Sequence, residues 1–225
     1  MSDDHKRARQ TIYQGHLDCH AREGDAFLHR IVTGDQSRVY HYKPEGKGQS
    51  MQWKHLLSLA NKKFKTQASN GKVMLTISWN VNGPILVHFK EKGQTVISAR
   101  YNDMLVNELK PVIDRNAGDF PQREYCCFTT MPAPIWLCIV DTLHALKFEV
   151  LQHPSYSPDL APSDYHLFGP TKEHLRGQKF ADDEVMEVVQ SWLKATPKSF
   201  SLEGIRKLVD KWAKCVVKQG DYVEK

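Results

Sequence analysis

Long apolar runs are absent from this sequence. The apolar stretches are short, as at residues 73–77, and none approaches the roughly 20 residues that cross a bilayer. Residues 1–14 are polar and charged, which is not the pattern of a secretory signal. We therefore expect neither a signal peptide nor any contact with a membrane.

Cysteine is also sparse and irregularly spaced. The five cysteines lie at positions 19, 126, 127, 138 and 215, which forms neither an even disulfide framework nor a CxxC metal pair. We therefore expect a reducing compartment. Internal repeats and low-complexity tracts are likewise missing from the sequence.

The remaining composition is that of an ordinary globular protein. The 225 residues are 40% hydrophobic and 25% charged. This is enough for one domain with a full hydrophobic core, alone or with a small appendage. The net charge of +5 permits a polyanionic partner but does not require one.

The order of the predicted elements indicates an α/β fold. β-rich runs at 27–42, 72–79 and 85–89 come first, and Asn82-Gly83-Pro84 is typical of a hairpin turn. The later predicted elements are a helix at 98–113, a strand at 148–151, and helices at 163–175, 182–195 and 202–218. We expect the second of these helices to kink or break at Gly169-Pro170. This order favours a mixed sheet with helices packed on it.

Two short segments carry residues suited to metal-ion chemistry. The first is Thr33-Gly34-Asp35, and the second is the stretch 153–168, in which Asp164 lies in the first turn of a helix. Carboxylates at strand and helix ends can converge on Mg²⁺, and a pair of ions about 4 Å apart can activate a water for phosphodiester chemistry. The alternative makes Asp35 a turn residue and Asp164 a helix N-terminal charge. On the residues alone, this alternative is favoured.

A longer string within the second segment favours the metal-site interpretation of Asp35 and Asp164 instead. YSPDLAPSDYHLF, at 156–168, closely resembles the signature of mariner transposases, which use a D,D,D metal triad on an RNase H-like fold. The TGD string at 33–35 resembles the segment with the family's first catalytic aspartate. Further strings that resemble the family, in the family's order, lie at 22–28, 49–54, 99–105 and 220–225. The resemblance covers almost the whole chain except 114–139.

The resemblance implies a fold, an activity and a cofactor. It implies an RNase H-like mixed sheet with flanking helices, and metal-dependent cleavage and transfer of DNA strands. It implies that Asp35 and Asp164 are catalytic, as the first and third ligands of Mg²⁺ or Mn²⁺. Asp159 lies in the same signature but is not a ligand in the family, so we interpret it as a loop or cap residue.

The expected domain limits follow from this resemblance. Residues 1–24 are interpreted as a lead-in helix or a linker remnant, and they are too short to contain the family's helix-turn-helix domains. The catalytic domain is expected at 25–180, with C-terminal helices at 181–225 packing on it. Residues 43–71 correspond to a clamp-like loop that reaches the other subunit in the family, so we expect a homodimer.

The chain departs from the family at one ligand. The second aspartate of the triad is missing, and Thr129 stands at the family's spacing before Asp164. Threonine supplies no carboxylate, so we expect the chain to be inactive or nearly so. Smaller departures are Gln36 and Arg38. The arginine replaces a large apolar residue on a strand, which we expect to disturb local packing.

The genetic code offers a reason for this loss. When residues 125–135 are back-translated and each codon is started at the third base of the preceding one, the codons permit Leu-Leu-Leu-His-Asp-Asn-Ala-Arg-Pro-His, the family's string. In this shifted reading, the aspartate codon begins at the third base of the codon for Thr129. We interpret this as two compensating indels, near 114 and 140, or as an error in the gene model. We therefore assign no role to Cys126, Cys127 or Cys138, and expect 125–130 to form a strand still.

The positive charge suggests where DNA would bind. Non-specific phosphate contacts are expected at one of two clusters, or at both. These clusters are Lys62, Lys63 and Lys65, and Lys172 with Arg176. A solvated lysine face is the alternative for each cluster. A DNA partner implies a nuclear location.

Three interpretations of the whole chain stay open. It is an inactive or residually active transposase domain, a domesticated DNA-binding or dimerising module without catalysis, or a pseudogene product. A related domain occurs fused to a SET histone-lysine methyltransferase domain. The sequence contains no SET segment, so we expect no methyltransferase activity from these residues.

Overall fold

A mixed β-sheet lies at the centre of the structure. The computed structural model describes residues 1–44, 71–90, 98–115, 125–129, 133–181 and 184–223. Within these residues the strands are β1 (Ile31–Tyr40), β2 (Lys72–Asn80), β3 (Gly83–Lys90), β4 (Cys126–Thr129) and β5 (Glu149–Leu151). Their order across the five-stranded sheet is β3-β2-β1-β4-β5. The first three strands pair antiparallel, whereas β4 runs parallel to both β1 and β5.

Helices surround this sheet in the described part of the chain. They are α1 (Asp3–Glu23), α2 (Asp25–Arg30), α3 (Ser98–Met104), α4 (Lys110–Arg115), α5 (Ala133–Ala145), α6 (Phe168–His174), α7 (Glu184–Ala195) and α8 (Lys198–Val217). Two segments are wound more widely, as π-helix, and they lie at Leu105–Leu109 and Ser163–Leu167. No helix among the described residues is long and apolar enough to cross a membrane.

The two faces of the sheet are covered by different helices. Successive side chains on a strand point to opposite faces, so Ile31 and Val32 enter different cores. The core around Ile31 includes side chains from α1, α7 and α8. The core around Val32 includes side chains from α3, α5 and the π-helical segment between α3 and α4. Both cores contain β4 residues, since Cys126 lies in the first and Cys127 in the second.

The first helix is an integral part of the domain rather than a tether. Of the two interpretations of 1–24, the helix is the one the structure contains, because α1 packs along α8. Arg9, Tyr13 and His16 of α1 are buried. These three side chains therefore belong to the packed part of the structure.

The strand predicted at 27–42 is helical at its beginning. Gly24 ends α1 with a φ of 61°, a conformation that glycine adopts without steric cost. Asp25 then begins α2, where its charge suits the helix N-terminus. The strand therefore starts at Ile31 rather than at Phe27.

The predicted kink near Gly169-Pro170 is a change of helical winding instead of a break. Pro170 lies in the first turn of α6 and has no backbone N–H to donate to residue 166. The wider π-helical turn at Ser163–Leu167 comes immediately before it. Such turns accommodate a lost helical hydrogen bond without ending the helix, and they are frequent at functional sites.

The described residues between 125 and 145, where the sequence departs from the family, form a strand and a helix. The strand predicted at 125–130 is present as β4, paired on both edges. Helix α5 begins at Ala133, so Pro134 lies in its first turn, where a missing N–H costs no hydrogen bond. Ile139 and Leu143 of α5 are fully buried.

Candidate active site

Asp35 lies within the central strand of the sheet. Its register partner on β2 is Ile77, and its half-buried carboxylate accepts a hydrogen bond of 2.7 Å from the backbone N–H of Gln36. Space beside the preceding residue is limited, because a Cβ on Gly34 would lie 3.3 Å from Ser78 Oγ. The glycine of the TGD string thus lets β1 pack closely where it presents Asp35.

Asp164 lies in the π-helical turn that leads into α6. Its backbone N–H donates to the carbonyl of Ala161 at 3.0 Å, and its side chain is on the exposed side of the turn. Partial desolvation raises the pKa of this carboxyl, and the nearby Lys172 lowers it by a smaller amount. The turn itself contacts β1.

Lys172 lies in the electrostatic field of both carboxylates. Desolvation and Lys43 lower the pKa of its ammonium, whereas Asp164 and Asp35 raise it. The ammonium also lies 5.4 Å from the centre of the Phe168 ring. The two predicted carboxylates therefore both interact electrostatically with this predicted phosphate contact.

Thr129 occupies the strand position beside Asp35. Its register partner is Gly34 of β1, the residue just before that aspartate. The fold thus brings position 129 to the strand that carries the first carboxylate.

The candidate site offers carboxylate donors for a divalent ion. Two carboxylates, Asp35 and Asp164, suit one hard cation whose other ligands are water or substrate oxygens. Among the described residues, no group of three or more His, Cys, Asp or Glu side chains could hold a metal ion. Asp35 and Asp164 therefore supply oxygen donors of the kind that such a cation takes.

The turn that carries Asp164 is fastened to α8 by its neighbours. The hydroxyl of Tyr165 donates to the carbonyl of Gly204 at 2.7 Å. The His166 ring is 2.7 Å from the carbonyl of Phe200 and stacks on the Phe200 ring. Asp164 therefore projects from a turn whose adjacent side chains are fixed.

A buried ion pair holds the loop before this turn. Arg9 of α1 is fully buried, and its guanidinium donates two hydrogen bonds to Asp159, of 3.1 and 2.7 Å. Arg9 also donates to the carbonyl of Gly220, and the backbone N–H of Val223 donates to Asp159. The sequence predicted Asp159 as a loop or cap residue, and it lies in the 3₁₀-helical turn Pro158–Leu160. Arg9 was missed, since no local pattern links residues 150 positions apart.

Other predicted positions differ in their surroundings. Arg176 forms an ion pair of 3.1 Å with Glu173, so its charge is partly neutralised. Arg38 is exposed, and the predicted disturbance of packing is absent there because no charge is buried. Lys62, Lys63, Lys65 and most of the clamp-like loop at 43–71 lie outside the described residues.

The cysteines of β4 are ordinary core residues. Cys126 and Cys127 are buried. Burial raises the pKa of Cys127 to about 12 and raises that of Cys126 as well. Neither thiol forms the reactive thiolate near neutral pH, which agrees with assigning them no role.

Comparison with known proteins gives matches along the chain. Residues 43–120 match the family described as Transposase (partial DDE domain). The Mariner Mos1 transposase of Drosophila mauritiana is 35% identical over 206 residues, which are 88% of this chain and 58% of that protein. The Histone-lysine N-methyltransferase SETMAR of Homo sapiens is 29% identical over 211 residues, 89% of this chain and 29% of that protein.

Solved structures show the same architecture. The crystal structure of the catalytic domain of Mos1 mariner transposase matches with a TM-score of 0.80 and 30% identity, over 100% of this chain and 98% of that one. The Mos1 mariner paired end complex with Mn matches with a TM-score of 0.88 and 32% identity, over 100% of this chain and 65% of that one.

The arrangement of strands and helices identifies the fold class, and the sequence matches identify the family. A mixed five-stranded sheet with flanking helices, superimposable on that catalytic domain, is an RNase H-like DDE fold. The chain belongs to the mariner-type transposases and corresponds to their catalytic domain. It spans 58% of the length of Mos1 transposase and 29% of the length of SETMAR.

Proposed function

We propose that the chain is a mariner transposase catalytic domain that binds DNA and one divalent cation and has lost most of its strand-cleaving activity. The observation that carries this proposal is the threonine at position 129, which stands at the family's spacing before Asp164 and pairs with Gly34 at the end of β4. Its hydroxyl provides neither the charge nor the bidentate oxygens of an aspartate.

Asp35 and Asp164 are the residues that would hold the cation, which is Mg²⁺ or Mn²⁺. A bound ion would supply Lewis-acid activation of a water or of the scissile phosphate. Asp35 would hold it from the rigid central strand, and Asp164 from the turn fastened to α8. Solved relatives include the Mos1 catalytic domain with Mn and with Mg, which supports this choice of ion.

DNA is the proposed partner, bound through phosphates without regard to sequence. Support comes from the net charge of +5 and from Lys172, whose ammonium adjoins both carboxylates. Mos1 has been solved as a paired-end complex with the left transposon end. A nuclear location follows from a DNA partner. A homodimer through 43–71 is a further proposal, and a monomer in light scattering at high protein concentration would contradict it.

The proposal is tested by restoring the carboxylate. We expect Thr129→Asp to raise Mn²⁺-dependent nicking of a labelled duplex by roughly 100-fold, the loss that misplacing a reacting group by about 1 Å can cause. Thr129→Asn is the control, because it has nearly the shape of aspartate without its charge. Adding Asp35→Ala to the restored chain should abolish the gain. Equal nicking by the unaltered chain and Thr129→Asp would refute the proposed loss.

A second candidate function is a DNA-binding module without catalysis. It is favoured by the intact pairing of β4 with β1 and β5, because the foreign segment leaves the sheet whole. This candidate predicts salt-sensitive DNA binding in fluorescence anisotropy and no nicking even with Thr129→Asp. A pseudogene product would instead express poorly and lack a cooperative urea transition.

A further inference from the structure

A buried tryptophan connects the sheet to the turn that carries Asp164. Trp79 is the last but one residue of β2 and is 1% exposed. Its register partner on β1 is Thr33, two residues before Asp35. The indole Nε1–H donates to Ser163 Oγ at 3.0 Å, and Ser163 is also 1% exposed. Ser163 immediately precedes Asp164 in the chain.

The strand is irregular where it presents this ring. The pairing of β2 with β3 shifts register between Ser78 and Trp79. Irregularities of this kind redirect a side chain and are over-represented next to active sites. Trp79 is therefore presented to the π-helical turn rather than forming only another pair in the sheet.

The ring also has little room to move. It stacks on the His166 ring, with centroids 6.5 Å apart and planes at 25°. Helix α8 also adjoins the ring, since a Cβ added to Gly204 would lie 2.9 Å from Trp79 Cη2. The turn and α8 thus hold the indole in place. Its hydrogen bond to Ser163 therefore fixes the position of the turn relative to the sheet.

We propose that Trp79 is a positioning residue that acts through Ser163 to fix Asp164 relative to Asp35. This inference rests on the proposed sharing of one divalent cation by the two aspartates. Trp79 does not touch the cation itself. Its contribution is to set the separation of two carboxylates that stand on different elements, one on a strand and the other on a helical turn.

The chain contains a matched control for this claim. Trp212 of α8 is fully buried and its ring stacks on that of Tyr13. Its Nε1 is buried and makes no hydrogen bond within the described ranges. Trp212→Phe thus removes the same atoms as Trp79→Phe but breaks no such bond.

The first measurement is Mn²⁺ affinity by electron paramagnetic resonance. We expect Trp79→Phe and Ser163→Ala each to weaken binding about fivefold, the ratio that one buried hydrogen bond is worth. The double variant should bind no more weakly than either single variant, because both remove the same bond. Trp212→Phe should leave the affinity unchanged even where its Tm falls. Equal weakening by Trp79→Phe and Trp212→Phe would overturn the inference.

The second measurement needs no metal, so it separates this inference from the proposed function. Cysteines placed by Asp35→Cys and Asp164→Cys are joined by a short bis-maleimide, and the cross-linked peptides are counted by mass spectrometry. Trp79→Phe should lower the cross-linking rate severalfold, and Trp212→Phe should not. If the unaltered chain binds no Mn²⁺, the proposed cation site fails, and the cross-linking rates alone decide the role of Trp79. Identical rates in the two variants would refute it.

Discussion

Removing Asp159 is the most severe test of the buried ion pair. Asp159→Ala deletes both acceptors of the 3.1 and 2.7 Å bonds from Arg9, as well as the acceptor for the Val223 N–H. Arg9 is fully buried, so its guanidinium cannot be hydrated once the carboxylate is gone. Breaking a buried pair in this way costs about 3–5 kcal/mol, which for a chain of this size lowers the Tm by roughly 10 °C.

The assay is urea unfolding followed by tryptophan fluorescence, with two comparisons. Arg206→Ala breaks an exposed pair with Asp25, whose side chains are 56% and 62% exposed, and should cost less than about 1 kcal/mol. Replacing both partners, as Arg9→Met with Asp159→Ala, should recover part of the loss because no charge is then left buried. A loss for Asp159→Ala within 1 kcal/mol of that for Arg206→Ala would refute this reasoning.

Two further predictions concern histidines and a glycine. Burial lowers the pKa of His153 to about 3 and also lowers that of His16, whereas unfolded histidine takes up a proton near pH 6.5. The stability due to these neutral rings is thus complete above about pH 6.5 and falls below it, by up to about 1.4 kcal/mol per pH unit for each ring. Urea midpoints at pH 7.5 and 5.0 should show the fall, and His153→Gln should flatten it; equal midpoints would contradict the assignment. Gly204→Ala should lower the free energy of unfolding by about 1–3 kcal/mol, since its Cβ meets the Trp79 and His166 rings. Gly169→Ala should lower it by nothing, because no atom lies within 4 Å of its Cβ. Similar Tm values for the two variants would refute the steric argument.

Local signals predicted much of the sheet and most of the helices. The Asn82-Gly83 turn and the β-rich runs beside it predicted the β2–β3 hairpin, because a turn of this kind has a short-range chemical signature. The RNase H-like fold implied by the family strings is confirmed by the match to the Mos1 catalytic domain. The π-helical turns were missed, since helical periodicity does not distinguish a turn with one extra residue.

Contacts between distant residues were beyond reach of the sequence alone. Arg9 looked like part of a polar leader, yet it is buried because its partners come from a loop and a tail far along the chain. The bond between Trp79 and Ser163 spans 84 positions and has no local pattern. The metal-binding roles of Asp35 and Asp164 stay predictions, although the fold places both carboxylates in the field of Lys172.

The contact between α1 and the tail at 220–223 has a consequence for engineering. Arg9 bonds the carbonyl of Gly220, and Lys6 forms an ion pair of 3.0 Å with Asp221. The two extremities of the described chain are therefore neighbours, which is the condition that circular permutation requires. A short glycine-rich linker could join them, and new ends could be opened at the exposed Asn82 in the β2–β3 turn. Such a permuted chain would keep the Arg9–Asp159 pair, and a fused tag would then sit at the β2–β3 turn, away from that pair.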